Sequence, residues 1–317
     1  IFTHTSIDSD LLTEHPEWYI NNNGALKKYS IKTENKWIEW GDLLELNNHS
    51  DKDSVKTNLW SYWYDITRNF INLGVDYIKI HSAFYLPQEP LKSLISSIKL
   101  EYPHMKFIGD NLGASFSDML DLSRIGVDYL FTSFKWWDFK SPWFFEQHYK
   151  LKDNVNLISF PESYDTERIA KIYDGNINAQ KMFYGVSALI NKGVLIPIGF
   201  ETGSQKKLND MSLYDFDFEE EEFNISDYIK KINNIKCYYK LFSEENDIYY
   251  LSQSNDKIFA FKKMNKERNE FAIVIANLNF YNSEKVLLND IFYVLESSDI
   301  QDISPENQEI IDEKNRD

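Results

Sequence analysis

Short apolar runs of strand length alternate with segments of helical period through the first two thirds of the chain. YIKIHS (77–82), KFIGD (106–110), YLFTSF (129–134), NLISF (156–160) and VLIPIGF (194–200) are rich in β-branched and aromatic residues. Between them, LKSLISSIKLEY (91–102) and SFSDMLDLSRIG (115–126) repeat their apolar residues every three or four positions. Strand then helix, repeated, predicts a parallel sheet with helical crossovers. With a strand implied by the opening IFTH, the count reaches about six, against the eight of a (β/α)8 barrel. An incomplete barrel would leave two strand edges open. The first strands are therefore expected upstream of Ile1.

The pattern breaks in three places. Residues 10–55 are polar, with Asn, Asp and Lys clusters, and read as a loop insertion. A helix is predicted over 56–72, with Trp60, Trp63 and Phe70 on its apolar face. The acidic run Glu219–Glu222 reads as a solvated loop ahead of a helix capped by Asn224 or Ser226, with Tyr228, Ile232 and Ile235 on one side. From about 244 the helical period disappears. IYYLS, KIFAFKKM, EFAIVIANLN, EKVLL and IFYVLE are strands joined by Ser, Asn and Asp turns, and the tail after about 303 is polar. The expected fold class is α/β. A TIM barrel spans 1–243, with a loop insertion at about 10–55, and a small antiparallel β domain spans 244–317.

Composition narrows the partners. The 317 residues are 43% hydrophobic, enough for a core, and carry a net charge of −16. An acidic surface repels phosphate backbones, which argues against nucleic acid, whereas a neutral glucan is not penalised. Aromatics reach 16%, a richness that suits stacking on sugar faces and equally follows from codon drift. One cysteine, Cys237, excludes an internal disulfide and suits a reducing, cytoplasmic setting. No apolar run approaches the ~20 residues that span a bilayer, so no membrane partner is expected.

In a (β/α)8 barrel the C-terminal ends of the strands meet at one face. The residues there are His4, Lys79, His81, Asp110, Tyr164 and Asp165. No Cys pair, HExxH run, Walker loop or nucleophile elbow is present. A zinc or iron site from His4, His81 and Asp110 or Asp165 lacks supporting spacing within any one element. No metal and no cofactor are expected.

The segment GVDYIKIHSA (74–83) resembles the fourth-strand motif of the α-amylase superfamily, glycoside hydrolase family 13. IFTHTSIDS with EHPEWY (14–19), FIGDNLG (107–113), ISFPESYDTERIA (158–170) and GVLIPIGFETG (193–203) resemble its third-, fifth-, seventh- and eighth-strand regions. FKWWDFKSPWFFEQ (134–147) and ISDYIKKINNIK (225–236) resemble the branch that contains α-1,4-glucan:maltose-1-phosphate maltosyltransferase. The resemblance implies carbohydrate metabolism and an α-glucan or maltooligosaccharide ligand. It maps the catalytic positions onto His81 (nucleophile), Asp110 (general acid) and Asp165 (third carboxylate). It maps substrate-binding positions onto His4, Lys79 and Tyr164, with Trp136 and Trp137 as a stacking platform.

Of the three catalytic positions, only Asp165 has the family's residue type. Retaining glycosidases use two carboxyl groups about 5–5.5 Å apart. Here an imidazole replaces the nucleophile, Lys79 replaces an Arg fork, and Asp110 is a methylene shorter than Glu, setting its carboxyl back by about 1.5 Å. A misplacement near 1 Å costs on the order of 10²-fold. The expectation is a pseudoenzyme that binds glucan or a partner. The alternatives are an active enzyme of altered mechanism, with Lys79 and His81 placing a sugar phosphate, and a structural or assembly subunit, including a homo-oligomer. The structural readings stand beside these: His81 as a packed strand-end histidine, Asp110 as a hydrogen-bonding residue, Asp165 as a loop-structuring one, and Trp136 and Trp137 as packing.

Overall fold

The computed structural model describes residues 3–32, 37–207, 222–252, 254–267, 269–285 and 301–305. The chain divides into two compact units, Ile1–Leu130 and Phe131–Asp317.

Five parallel strands, Tyr77–Ile80, Lys106–Gly109, Tyr129–Phe131, Asn156–Ser159 and Gly193–Val194, lie side by side in chain order. Helices separate them in sequence. Sequential order with helical crossovers is the construction of a (β/α)8-like barrel. The opening strand is not among the five. His4–Ser6 instead runs antiparallel to Trp37–Glu45, with His4 opposite Glu45, and Trp37–Glu45 pairs in turn with Lys28–Lys32. The stretch read as a loop insertion thus carries an antiparallel sheet in the first unit. Its Asn- and Lys-rich sequence hides the strands, because ladder pairing is made by the backbone whatever the side chains.

Helix Asp53–Asn72 buries Val55, Leu59, Trp60, Trp63, Thr67 and Ile71. Phe70, expected on that face, is 51% exposed in the last turn, and Leu73 just beyond is 80% exposed. Helix Gln88–Glu101 starts after Pro87 and buries Leu91, Leu94, Ile95 and Ile98, an i, i+3, i+4, i+7 stripe. Helix Phe116–Leu122 opens on a reciprocal cap between Ser115 and Asp118.

The second unit is built around Ile177–Ile190, a helix apolar almost all round and buried from Ala179 onward except at Lys181. Asn176 caps its first turn by accepting from the Asn178 and Ala179 N–H groups. Its last carbonyls are taken by two buried ammonium groups. Lys263 donates to Leu189 (3.1 Å) and Ile190 (3.2 Å), while Lys236 donates to Ala188 and Asn191. These bonds answer the orphan acceptors of a buried helix end. In the same buried cluster as this helix are Phe134, Trp137, Phe139, Phe144 and Phe259. Asp247–Tyr250, Ile258–Met264 and Phe271–Asn277 form an antiparallel sheet in that order. Helix Ser226–Tyr238 follows an Asn224 side chain that accepts from the Ser226 N–H. The strand IFYVLE, most of EKVLL and most of the acidic run lie outside the described residues.

Candidate functional site

Strand Tyr77–Ile80 ends one residue before His81, and strand Lys106–Gly109 one residue before Asp110. The ladder continues past both ends: the Asp110 N–H donates to Ile80 O (2.9 Å) and the Ala83 N–H to Asp110 O (2.9 Å). Between those bonds the chain reverses through Ser82, which sits in the left-handed region at φ +46°. Such a conformation costs about 1–3 kcal/mol in a non-glycine residue and persists only where the surroundings fix it. Gly109 lets the paired strand Tyr129–Phe131 pack close on its other side, since a Cβ there would lie 2.8 Å from Leu130 Cδ2.

This backbone brings four of the expected residues together in the first unit. Lys79 Nζ lies 3.0 Å from Asp110 Oδ2, and His81 Nδ1 lies 3.8 Å from the same oxygen. The Leu112 N–H donates to Asp110 Oδ1 at 3.2 Å. The Asp110 carboxylate is 6% exposed, so both its oxygens are engaged in a nearly dry setting. His4 meets His81 edge to face at 5.4 Å between ring centroids, and its ring also lies 4.0 Å from that of Tyr29.

Burial dominates the protonation of the histidines. It pulls His4 down to about 4, with His81 adding to the effect. His81 is also lowered, first by burial. Asp110 opposes that shift and Lys79 adds to it. Both rings are therefore neutral imidazoles near pH 7, and of these groups the ammonium of Lys79 carries the positive charge at this strand end.

In the second unit, Tyr164 and Asp165 lie on the loop after strand Asn156–Ser159, Tyr164 half-buried and Asp165 exposed. The loop is held from beneath by a pair the sequence reading passed over. Glu162 and Arg168 are both fully buried, with Arg168 Nη1 2.6 Å from Glu162 Oε1. Glu162 Oε2 also accepts the Ile169 N–H at 2.6 Å. Arg168 donates further to Ile198 O (2.8 Å) and Lys206 O (3.0 Å), tying three chain segments to one guanidinium. Within the loop, the Ser163 N–H donates to Thr166 Oγ1 at 2.8 Å. The available signal was a Glu and an Arg flanking Ser-Tyr-Asp-Thr-Glu between an apolar strand and a helix. Nothing in the sequence marks those charges as buried.

The two tryptophans part company. Trp136 is 58% exposed and meets Phe160 near-perpendicular at 5.8 Å between ring centroids. Trp137 is in the core, stacked on Phe144 at 4.4 Å, with its indole N–H donated to Ser141 O. Among the described residues, no group of three or more His, Cys, Asp or Glu side chains is placed to hold a metal ion. No described helix is long and apolar enough to cross a membrane.

No family model matches the chain. Its fold is that of the α-amylase structures. An α-amylase from Lactobacillus plantarum superimposes with a TM-score of 0.67 at 19% identity, covering 88% of this chain and 66% of that one. Eubacterium rectale Amy13B gives a TM-score of 0.66 at 14% identity over 88% of this chain and 68% of that one. The H. orenii α-amylase gives 0.67 at 14% identity, over 87% and 69%. At the level of sequence, the chain is similar to the α-1,4-glucan:maltose-1-phosphate maltosyltransferase of Burkholderia pseudomallei (strain K96243), 27% identical over 123 residues. That match spans 37% of this chain and 11% of the maltosyltransferase.

Proposed function

We propose that this chain is a member of glycoside hydrolase family 13, related to the maltosyltransferase branch, that binds α-glucan without the family's double displacement. The observation that carries this reading is the Lys79–Asp110–His81 constellation. A glycosyl-enzyme intermediate needs an anionic oxygen beneath the anomeric carbon. The strand end that would supply it carries an imidazole held neutral by burial. The nearest carboxylate, Asp110, is occupied by Lys79 and by a backbone N–H. A buried, ion-paired carboxylate is poorly placed to donate a proton to a leaving oxygen. Trp136 and Tyr164 retain surfaces that suit a sugar ring, and Asp165 is an exposed acceptor for hydroxyl groups.

The test is a pair of reversals in one protein, His81→Asp with Asp110→Glu, assayed on maltooligosaccharides next to the wild type. The expected result is saturable binding by both proteins and hydrolysis or transfer only by the variant. A variant that neither binds nor turns over α-glucan would remove the support for an inherited sugar site. A second reading, turnover of a sugar phosphate, is favoured by the Lys79 side chain, 41% exposed at the same strand end. It predicts stabilisation by maltose 1-phosphate in a thermal shift assay, absent in Lys79→Met.

A further inference from the structure

Residues 245–248 lead from helix Lys240–Ser243 into strand Asp247–Tyr250 of the antiparallel sheet. Other elements of the second unit hold this short strap from two sides. Helix Trp143–Leu151 and its C-cap hold it by one face. His148 Nε2 donates to Asn246 O (2.9 Å), the Tyr149 hydroxyl donates to Ile248 O, and Lys152 Nζ lies 3.1 Å from Asp247 Oδ1. The Glu245 carboxylate reaches the other way. Its Oε1 accepts the Leu157 N–H (2.7 Å) and the Lys192 N–H (3.0 Å), and its Oε2 accepts from Asn191 Nδ2 (3.3 Å).

Asn191 joins the two sides. Its Nδ2 also donates to His148 Nδ1 at 2.9 Å, and its Oδ1 accepts from Ser159 Oγ at 2.7 Å, which faces Thr132 Oγ1 at 3.0 Å. His148, Asn191, Ser159 and Thr132 are all buried. The arrangement serves one protonation state. A neutral ring donates at Nε2 and accepts at Nδ1, whereas the cation donates at both. A proton on Nδ1 would point at the Asn191 amide nitrogen, itself a donor. Turning the amide over would answer that proton but aim its oxygen at the Glu245 carboxylate. Either way the strap loses a bond.

The charges around the ring come from several elements. Glu245 on the strap favours the cation, while Lys263 on strand Ile258–Met264 and Lys152 on the ring's own helix disfavour it. Lys236, from helix Ser226–Tyr238, faces Glu245 and Lys263. Burial outweighs these and lowers His148 from 6.5 to about 4. Lys236 at about 7 and Lys263 at about 8 lie above that interval.

We propose that His148 and Asn191 form an acid-operated latch, which holds residues 245–248 on the helix while the imidazole is neutral and lets them go when it takes up a proton. The proton reaches the ring from solvent when the strap opens, so acid traps the open form. The closed form is favoured above pH 6.5 and loses that advantage as pH falls towards 4. An open form at 6.5 against a closed form at about 4 makes opening about fifteenfold more favourable at pH 5 than at pH 6.5.

Hydrogen exchange of the full chain tests this, followed by mass spectrometry on peptides covering 244–251 and 179–187 and corrected for the intrinsic pH dependence of exchange. The opening constant of the strap peptide is expected to rise about fifteenfold from pH 6.5 to pH 5 and to ignore urea below the unfolding transition. The helix peptide is expected to exchange more slowly, through a urea-dependent opening. His148→Gln, whose amide can serve both Asn246 and Asn191 without titrating, is expected to hold the strap constant within about twofold over the same range. A reading that needs no variant comes from 15N-labelled histidine in the wild type. The buried ring is expected as the Nε2–H tautomer at pH 6.5, and to protonate in step with strap exchange. Strap and helix peptides exchanging together with one urea dependence, a rise retained in His148→Gln, or a ring still neutral while the strap opens overturns the proposal.

Discussion

Arg168→Met is the sharpest test of how the loop bearing Tyr164 and Asp165 is held. The substitution keeps the aliphatic stem and removes three contacts at once, to Glu162, Ile198 and Lys206. It also leaves the Glu162 carboxylate, 0% exposed, with the Ile169 N–H as its remaining bond named above. Removing one partner of a buried ion pair costs about 3–5 kcal/mol, because the other charge stays desolvated. In a domain of 150–250 residues each kcal/mol lowers Tm by about 2–4 °C, so the expected fall is roughly 6–20 °C. Glu162→Gln with Arg168→Met should recover part of the loss, since the stranded charge is gone. Thermal and urea unfolding followed by intrinsic fluorescence measure both. A loss below about 1 kcal/mol in Arg168→Met, or a double variant no more stable than the single, would refute the claim that this pair anchors the loop.

Three further outcomes are expected. His148 is buried, with Nε2 donating to Asn246 O at 2.9 Å and Nδ1 accepting from Asn191 at 2.9 Å, a pattern that suits the neutral ring. Burial lowers it from 6.5 to about 4. The unfolded chain then binds the proton first, so stability is lost as pH falls from about 6.5 to about 4, by about 3 kcal/mol, and His148→Gln should flatten that limb of the urea-stability profile. Lys236 and Lys263 are lowered by burial to about 7 and about 8, so stability should rise with pH between those values and 10.5, and Lys263→Met should reduce the slope. Gly109→Ala drives a methyl against Leu130 and should cost about 1–3 kcal/mol in chemical denaturation.

The parallel strands were legible because each is a short apolar run punctuated by polar residues, the signature of a strand covered on both faces. The antiparallel sheet through Lys28–Lys32 and Trp37–Glu45 was not, since its sequence offers little alternation and its ladder is a property of the backbone. The opening IFTH was read as a barrel strand; among the described residues only its His4 is extended, in a strand His4–Ser6 that belongs to another sheet. Extended propensity does not name a partner, and only the register His4–Glu45 does. At the site, the strand-end rule gathered His4, Lys79, His81 and Asp110 from positions up to 106 residues apart. It could not foresee that burial keeps His81 uncharged, nor, in the second unit, that Glu162 and Arg168 lie buried beneath the Tyr164–Asp165 loop. Desolvation depends on packing that a one-dimensional pattern does not carry.

The measurement that bears most directly on the central claim is turnover by the pure wild-type chain. It is supplied with maltoheptaose, and separately with maltose 1-phosphate plus glucan, while binding is followed by calorimetry in parallel. The account predicts saturable association with maltooligosaccharide and no release of sugar or phosphate above the buffer control. Robust product formation that disappears in His81→Ala would contradict it, because the imidazole would then be performing the chemistry that its neutral, half-buried setting is argued to withhold.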